Sequence, residues 1–588
     1  MGWSTHAIGT QDPPEVRNWK IHLVAFVASM SALAMGYDTS VIGGTMALDS
    51  FRRDFGLANA SSKHRDTVQG NIVFTFQAGC FFGALLTFPF AEKYGRRLTV
   101  MAASAVFIVG ATLMTAANGV MNMVVAGRAV AGLGIGACSL VVPVYISETA
   151  PPSIRGRLIG IFEIASQGGG MLGFWINYAT DRSINVTNKA QWIVPLALQL
   201  VPGVLLCAGM FFCPESPRWL ARGDDFDKAE KIISGLRNLP AHHPYIRNEM
   251  NEIRTQVEER STNKMSKKQQ VQKLFQKGVR NRMGIGLALM FLQSFTGVNI
   301  ITYYAPRIFE SLGVPGTSLK LFSTGFYGIS KTLGMITFTM VIVERVGRRK
   351  GLIWGAALGC VPMLYIGGYV LRASPVAALA AGATTRNGRG YLAMICITWT
   401  YASEIFPLDI RMLCVALRTA DTWLGSFIIA RSTPYMISDL GYGAYFFFGV
   451  ILIAMGIWSF LFVPETKGVS LEEMDALFAR SVRKTVWAQL RGRMIPPVEE
   501  EVMTADDSKK QSTIRIEKAT GANHANEGSV GDPEKIFIFI VSDLTAINSL
   551  QTGTITALSR DMTPVTGKLS FSVGYQPQIH SPAQQLEA

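Results

Sequence analysis

Apolar runs recur along the first four fifths of the chain, separated by shorter polar segments. A helix of about 20 apolar residues crosses the roughly 30 Å hydrocarbon core of a bilayer, so each run predicts one membrane-spanning helix. Six runs precede a long polar stretch and six follow it, which predicts an all-α membrane protein built from two six-helix bundles. The twelve predicted spans lie near 21–44, 70–91, 98–118, 120–144, 156–179, 193–213, 283–305, 319–343, 350–370, 390–406, 414–437 and 441–463.

The polar segments between and beyond the spans define the domain organisation. The predicted parts are a cytoplasmic N-terminus (1–20), an N-terminal bundle (21–213), a cytoplasmic linker loop (214–282), a C-terminal bundle (283–463), a cytoplasmic helix end (464–483) and a disordered tail (484–588). The tail is polar, and its one β-prone run, KIFIFIVSD, is too short to span as a helix. A wrongly assigned gene terminus is the alternative to a disordered tail.

Charge placement gives the orientation and excludes several functions. The chain carries a net charge of +14, with basic residues concentrated in alternate short loops and in the linker. Because loops rich in Lys and Arg remain on the cytoplasmic side of a membrane, both termini and the linker are predicted to be cytoplasmic. No aromatic-basic stripe suggests a nucleic-acid partner, and no nucleophile elbow, P-loop or metal-ligand spacing suggests an enzyme, a cofactor or a metal site. The seven cysteines all fall in or beside apolar runs, which is typical of packing residues.

The two halves repeat charged motifs at the cytoplasmic ends of their helices. EKYGRR is echoed by ERVGRR, ETAPPSIR by EIFPLDIR, and PESPRW by PETKG. Acids and bases at matching positions predict ion pairs that hold the inner face closed and break when the halves rock. The residues of this predicted cytoplasmic latch are Glu92, Arg96, Arg97, Glu148, Arg155, Glu344, Arg348, Arg349, Glu404 and Arg411.

Five segments carry a resemblance to a known family: GYDTSVIGG, FEIASQGGGMLGFWINY, GVNIITYYAPRIFESLGV, STGFYGISK and RSTPYMISDLGYGAYFFF. Over about residues 20–480 the chain resembles the sugar porters of the major facilitator superfamily, and among them the fungal quinate permeases and related sugar-acid transporters. The resemblance implies the major facilitator fold, with a central mid-membrane site and alternating access. It also implies proton-coupled import of quinate or a sugar acid by a monomer in the plasma membrane, with the lipid bilayer around it.

Asp38 interrupts the first apolar run, where a carboxylate is costly unless it is protonated, paired or wetted. The resemblance implies that this acid faces the cavity and couples transport to protons, with Arg128 of span 4 as its counter-charge. Release of the acid by Arg128 would let it take up a proton, which makes the pair a pH-dependent two-state element. A purely structural pair is the alternative. Glu163 stands where sugar porters usually carry Gln; it is a second protonatable site, an acceptor for substrate hydroxyls, or a helix-paired acid.

Several polar and aromatic residues are candidates for substrate binding. Lys331 of span 8 would attract a substrate carboxylate, unless it pairs with Glu163 instead. Gln293 and Asn299 match the polar motif of the family's seventh span, and amides can both donate to and accept from hydroxyls. Helix packing is the alternative for the remaining candidates, which are Tyr303, Trp399, Trp423 and Asn177.

The tenth span departs from the family pattern. GRGYLAMICITWTYASEIFP lacks the glycines and prolines of the usual G-x-G-P-x-P-W segment, and the span is short for the hydrocarbon core. Either the outer half of this helix is missing, or the gene model omits a stretch. Two further functions remain open: a neutral hexose or pentose symporter, and a non-transporting nutrient receptor that would use the long tail.

Overall fold

A computed structural model of the chain describes residues 13–262, 275, 277–338, 348–375, 392, 412–465 and 482–491. All regular structure among these residues is helical, and eight helical stretches are long and apolar enough to cross a membrane. Three more long helices carry charged side chains within their apolar sequences. These three are Arg155–Ser183, Thr317–Thr337 and Met412–Tyr435.

The N-terminal half packs its helices through small residues. Its elements are α1 (Trp19–Thr45), α2 (Asp49–Asp54), α3 (Ser62–Tyr94), α4 (Arg96–Thr115), α5 (Met121–Thr149), α6 (Arg155–Ser183), α7 (Ala190–Leu198) and α8 (Leu200–Phe212). A Cβ added at Gly36 of α1 would lie 1.7 Å from the Ser166 carbonyl oxygen of α6, and one added at Gly132 of α5 would lie 2.3 Å from the Phe76 carbonyl oxygen of α3. Glycines therefore let these backbones touch, as in other membrane helix bundles.

The linker, predicted as a loop, is largely helical. It contains α9 (Pro217–Arg222), α10 (Phe226–Arg237) and α11 (Pro244–Thr262), which bury Ile233 and Ile246 in a small core of their own. Arg237 fixes this core to the N-terminal half: it pairs with Glu249 at 2.7 Å and donates to the Thr149 carbonyl at 2.8 Å. Sequence analysis predicts a loop here because the segment is highly charged. Its few apolar residues nevertheless recur at helical spacing.

The C-terminal half contains a broken seventh span. Its described elements are α12 (Lys277–Ser294), α13 (Val298–Ser311), α14 (Thr317–Thr337), α15 (Arg348–Ala373), α16 (Met412–Tyr435) and α17 (Tyr442–Phe462). Gly297 lies between α12 and α13 with a φ of 86°, a left-handed conformation that favours glycine. One continuous helix is therefore interrupted at the level of the polar motif.

A last described helix, α18 (Val482–Leu490), lies where the disordered tail is predicted to begin. Gln489 exchanges two hydrogen bonds with the backbone of Glu465, at 2.9 and 3.0 Å, and Val486 is buried. This helix extends past the predicted boundary at 484, and disorder of the rest of the tail stays a prediction. Apart from residue 392, the predicted tenth span lies outside the described residues, as does the rest of the tail.

Gly132→Ala tests the close approach of α3 and α5. The added methyl group would force the two backbones apart, so we expect it to lower the free energy of unfolding by about 1–3 kcal/mol. The measurement is the melting temperature of the detergent-purified protein. Gly168→Ala in α6 is the matched control, because an added Cβ there has nothing within 4 Å, and it should keep or raise the melting temperature. Equal melting temperatures for the two variants would contradict the packing described.

Candidate functional site

A cavity of about 1380 Å³ lies between the two halves. Its walls come from α1, α5 and α6 on one side and from α12, α13, α14 and α16 on the other. It continues to Arg222 of α9 and Asn251 of α11, so it opens on the side of the linker, predicted to be cytoplasmic. The sequence-predicted residues that line it are Glu148, Arg155, Glu163, Gln293, Asn299, Tyr303, Lys331 and Trp423.

Lys331 places a cation on the C-terminal wall of the cavity. Its side chain is largely buried, and its Nζ donates to the Thr302 Oγ1 of α13 at 3.1 Å. Glu163 lines the same cavity from α6. The two charged residues for which the sequence suggested alternative roles therefore share one space, where a substrate carboxylate can approach the ammonium group.

The break in the seventh span brings two amides to the same wall. Gln293 lies in the last turn of α12 and Asn299 in the first turn of α13, on either side of Gly297. The Asn299 Nδ2 donates to the Ser426 Oγ of α16 at 3.2 Å. Amide and hydroxyl groups thus offer both donors and acceptors to a polyhydroxylated ring.

Trp423 of α16 closes the cavity against the N-terminal half. Its Nε1 donates to the Ser139 Oγ of α5 at 3.1 Å, and its ring meets the Phe76 ring of α3 edge to face, with centroids 6.2 Å apart. An aromatic face beside polar groups suits the apolar face of a sugar-like ring.

Arg418 is a cavity residue that is not among the sequence-predicted ones. It lies on α16, lines the cavity and is buried, so it adds a further cation to the C-terminal wall. A charge inside an apolar run, the same signal that marks Asp38, could have identified it.

Asp38 and Arg128 form an ion pair with no solvent exposure. The Arg128 Nη1 donates to the Asp38 Oδ2 at 2.7 Å, and its Nε donates to the Ile72 carbonyl at 3.3 Å. The Asp38 Oδ1 and the Arg128 Nη2 make no hydrogen bond within the described part of the chain. Neither residue lines the cavity, so the expectation that Asp38 faces it is wrong for this conformation: α1, α3 and α5 close around the pair.

Asn177 also departs from its predicted role. Its Nδ2 donates to the carbonyls of Val41 and Gly173, at 2.8 and 3.0 Å, and its Oδ1 accepts from the Thr45 Oγ1 at 3.0 Å. It is fully buried and lies outside the cavity lining. Asn177 therefore joins α6 to α1 by helix packing, because both ends of its amide are used by these helices.

On the side away from the linker, polar contacts join the two halves. Arg307 of α13 lies 2.6 Å from the Asp66 Oδ1 of α3 and donates to the Ser438 Oγ at 2.9 Å, and Ser438 also donates to Asp66. Arg431 of α16 donates to the Asn71 Oδ1 of α3 at 2.8 Å. We call these five residues the outer network. They close the cavity on the outer side, and the charged ends of YYAPR and IIAR were the available sequence signal.

Apart from Arg349, whose guanidinium donates to the Phe460 carbonyl of the C-terminal half at 2.6 Å, the latch residues with described side chains lie in the N-terminal half. Arg96 is buried and donates to both oxygens of Glu148, at 2.9 and 3.1 Å, and to Glu92 at 3.4 Å. The guanidinium of Arg97 donates to backbone carbonyls at the end of α8, and Arg155 lines the cavity. These contacts join helices of one half, so ion pairs between the halves remain a prediction.

Two carboxylates of the repeated Pro-Glu motif cap helices in both halves. Glu215 accepts from the backbone N–H groups of Arg96 and Arg97, and Glu465 accepts from the backbone N–H of Arg349 at 3.2 Å. Negative charge at a helix N-terminus is stabilising. The repetition of PES and PET after spans 6 and 12 was the signal for them. Of Arg348 only the backbone is described, and the predicted residues outside the described ranges are Glu344, Trp399, Glu404 and Arg411.

Comparison with known proteins gives the family. A model of the family described as "Sugar (and other) transporter" matches residues 24–478. The chain is 39% identical over 502 residues to a "Probable quinate permease" of Aspergillus fumigatus, which covers 82% of this chain and 92% of that protein. It is 39% identical over 495 residues to a "Quinate permease" of Emericella nidulans, covering 81% and 91%.

Solved structures show the same relationship. The xylose transporter XylE from E. coli, in a partially occluded inward open conformation, matches with a TM-score of 0.63 and 25% identity over 77% of this chain and 100% of that one. The proton:xylose symporter XylE bound to 6-bromo-6-deoxy-D-glucose matches with a TM-score of 0.63 and 27% identity, covering 78% and 99%. The predicted all-α major facilitator fold is thereby confirmed. The chain belongs to the sugar transporter family of the major facilitator superfamily, and is a multi-pass membrane transporter rather than an enzyme.

Proposed function

We propose that the chain imports quinate or a sugar acid together with protons, by alternating access, as a monomer in the plasma membrane. The observation that carries this proposal is the cavity wall on which Lys331 lies with Gln293 and Asn299. A cation beside two amides complements a substrate that carries one carboxylate and several hydroxyls. The names of the permease relatives favour the same substrate class.

The substrate would bind with its carboxylate toward Lys331, replacing the Thr302 hydroxyl as the acceptor for the ammonium group. Its hydroxyls would reach the amides of Gln293 and Asn299, and its apolar ring face would pack on Trp423. Arg418 makes the wall more positive, which favours an acid over a neutral sugar.

The Asp38–Arg128 pair is the proposed site of proton coupling. An ion pair with no solvent exposure is strongly desolvated, and protonation of Asp38 would remove most of the attraction that holds α1 to α5. The two protonation states would then favour different arrangements of the helices. The likeness to a proton:xylose symporter supports this assignment.

Lys331→Gln tests the substrate class. Loss of one charge-assisted hydrogen bond to a carboxylate should lower the uptake efficiency for quinate about 10- to 100-fold. Initial rates of labelled quinate and labelled glucose uptake in transporter-deficient cells measure it. Lys320→Gln is the matched control on the same helix, because Lys320 pairs with Glu310 and lies outside the cavity lining. Glucose uptake that is insensitive to quinate in the wild type would favour the neutral-sugar alternative instead.

Asp38→Asn tests proton coupling. Because asparagine cannot take up the proton, we expect the variant to lose accumulation above the external concentration, while exchange of labelled for unlabelled quinate partly persists. Accumulation and exchange are measured side by side, with surface expression and an Asp49→Asn control. Accumulation that persists in Asp38→Asn would move the proton site elsewhere, with Glu163 as the next residue to replace.

Arg307→Gln tests whether the outer network holds the outward side closed. The pair with Asp66 is partly exposed, so its loss should favour the outward-open state by about 1 kcal/mol, roughly a fivefold change in population. The measurement is labelling of an Asn299→Cys reporter by a membrane-impermeant thiol reagent applied outside. Arg53→Gln, which changes an outer arginine whose described contacts stay within the N-terminal half, is the control. Unchanged labelling in Arg307→Gln would contradict this role.

A further inference from the structure

Phe76 contacts both the ion pair and the cavity wall. The Arg128 guanidinium carbon lies 4.2 Å from the centroid of its ring, and the edge-to-face partner of the same ring is Trp423, which lines the cavity. Phe76 is fully buried. A single side chain of α3 thus lies between the proposed proton site and the proposed substrate site.

The groups around Arg128 determine how its positive charge is stabilised after Asp38 is protonated. The titratable groups that interact electrostatically with Asp38 or Arg128 include Tyr37 of α1, Cys80 of α3 and Tyr303 of α13. Phenols and thiols are neutral at physiological pH, so they offer Arg128 no replacement anion. Besides Asp38, the guanidinium has a hydrogen bond to the Ile72 carbonyl and a contact with the Phe76 ring.

The Phe76 ring favours the state in which Asp38 is protonated and Arg128 keeps its charge. A cation gains more from an aromatic face when it is desolvated and when no carboxylate offsets its charge. The contact between Arg128 and Phe76 is therefore worth more after Asp38 becomes neutral than before. It lowers the cost of leaving an arginine without a counter-ion in an apolar interior.

We infer that Phe76 is a positioning residue for proton coupling: its face stabilises Arg128 while Asp38 carries the proton, and its perpendicular contact with the Trp423 ring links this state to the cavity. The inference rests on the proposed proton coupling and deepens it. The transferred proton binds a carboxylate oxygen of Asp38, where Oδ1 has no hydrogen bond in the described part of the chain, and Arg128 remains a guanidinium throughout. Substrate packing on Trp423 would act on the Phe76 ring, and so on the position of Arg128.

Phe76→Leu tests the inference, because leucine keeps most of the apolar volume and removes the ring. Without the ring the protonated state is disfavoured, so the midpoint of the pH dependence should fall by about one pH unit, a tenfold change in proton concentration. The first readout is the pH profile of labelled quinate uptake. The second needs no substrate: the infrared carboxylic-acid C=O band of the purified protein, assigned by its loss in Asp38→Asn, titrates Asp38 directly.

Two aromatic variants and one surface variant serve as controls. Phe76→Tyr and Phe76→Trp keep a π face, so at least one of them should retain the wild-type midpoint. Phe82→Leu removes a ring from an exposed position of the same helix and should change nothing. Thermal stability measured for each variant separates loss of packing from loss of the cation–π contact.

The outcomes separate this inference from the function on which it rests. If Phe76→Leu keeps the wild-type pH midpoint by both readouts, the positioning role is overturned. The same holds if the pH midpoint falls equally in Phe76→Leu and in both aromatic variants. Neither result affects the proposed proton coupling. A wild type without proton-dependent uptake overturns the proposed coupling. In that case the infrared titration still decides whether the ring controls the protonation of Asp38.

Discussion

The structure depends on an ion pair that is sealed from solvent. Two opposite charges removed from solvent are tolerated only when they lie close together and their surroundings offer further polar contacts. Asp38 and Arg128 satisfy the first condition at 2.7 Å and the second only in part, since one oxygen and one guanidinium nitrogen make no hydrogen bond in the described part of the chain. A pair held in this way is sensitive to any change in charge or position, and the proposed proton coupling would use this sensitivity.

Helix packing and the outer network together explain why the ion pair is separated from the cavity and why the cavity opens toward the linker. Glycines at positions such as 132 allow α3 and α5 to touch, which seals the charges from the cavity. The outer network closes the opposite end through side chains of both halves, while the cavity remains open toward the linker helices. Within the described residues, the polar wall of the C-terminal half is therefore reached from the linker side, and the ion pair lies behind the opposite wall, in the N-terminal half.

The sequence predicted the features that depend on a charge within an apolar run. Asp38, Arg128, Glu163 and Lys331 stand out in this way, and all lie in the core of the molecule or along its cavity. Arg418 carries the same signal and could have been recognised. Asn177 could not be assigned, because the sequence places a residue on a helix but does not give the face that a neighbouring helix covers.

Contacts between distant segments were beyond sequence analysis for a different reason. Arg307 meets Asp66 only because two bundles fold against each other, and no local periodicity encodes such a distance. The linker helices were missed because their apolar residues are few and serve a core separate from the membrane spans. Motif repetition did indicate the carboxylates of Glu215 and Glu465, but their use as helix caps needs the backbone geometry.

The interruption at Gly297 has a mechanical consequence for how a ligand is released. Gln293 and Asn299 belong to two separate helical segments, because the helical backbone hydrogen bonds are interrupted between them. A break of this kind allows the segment that carries Asn299 to change its angle relative to the segment that carries Gln293. A substrate bound as proposed would contact both helical segments, so its bonds to one segment could break before its bonds to the other.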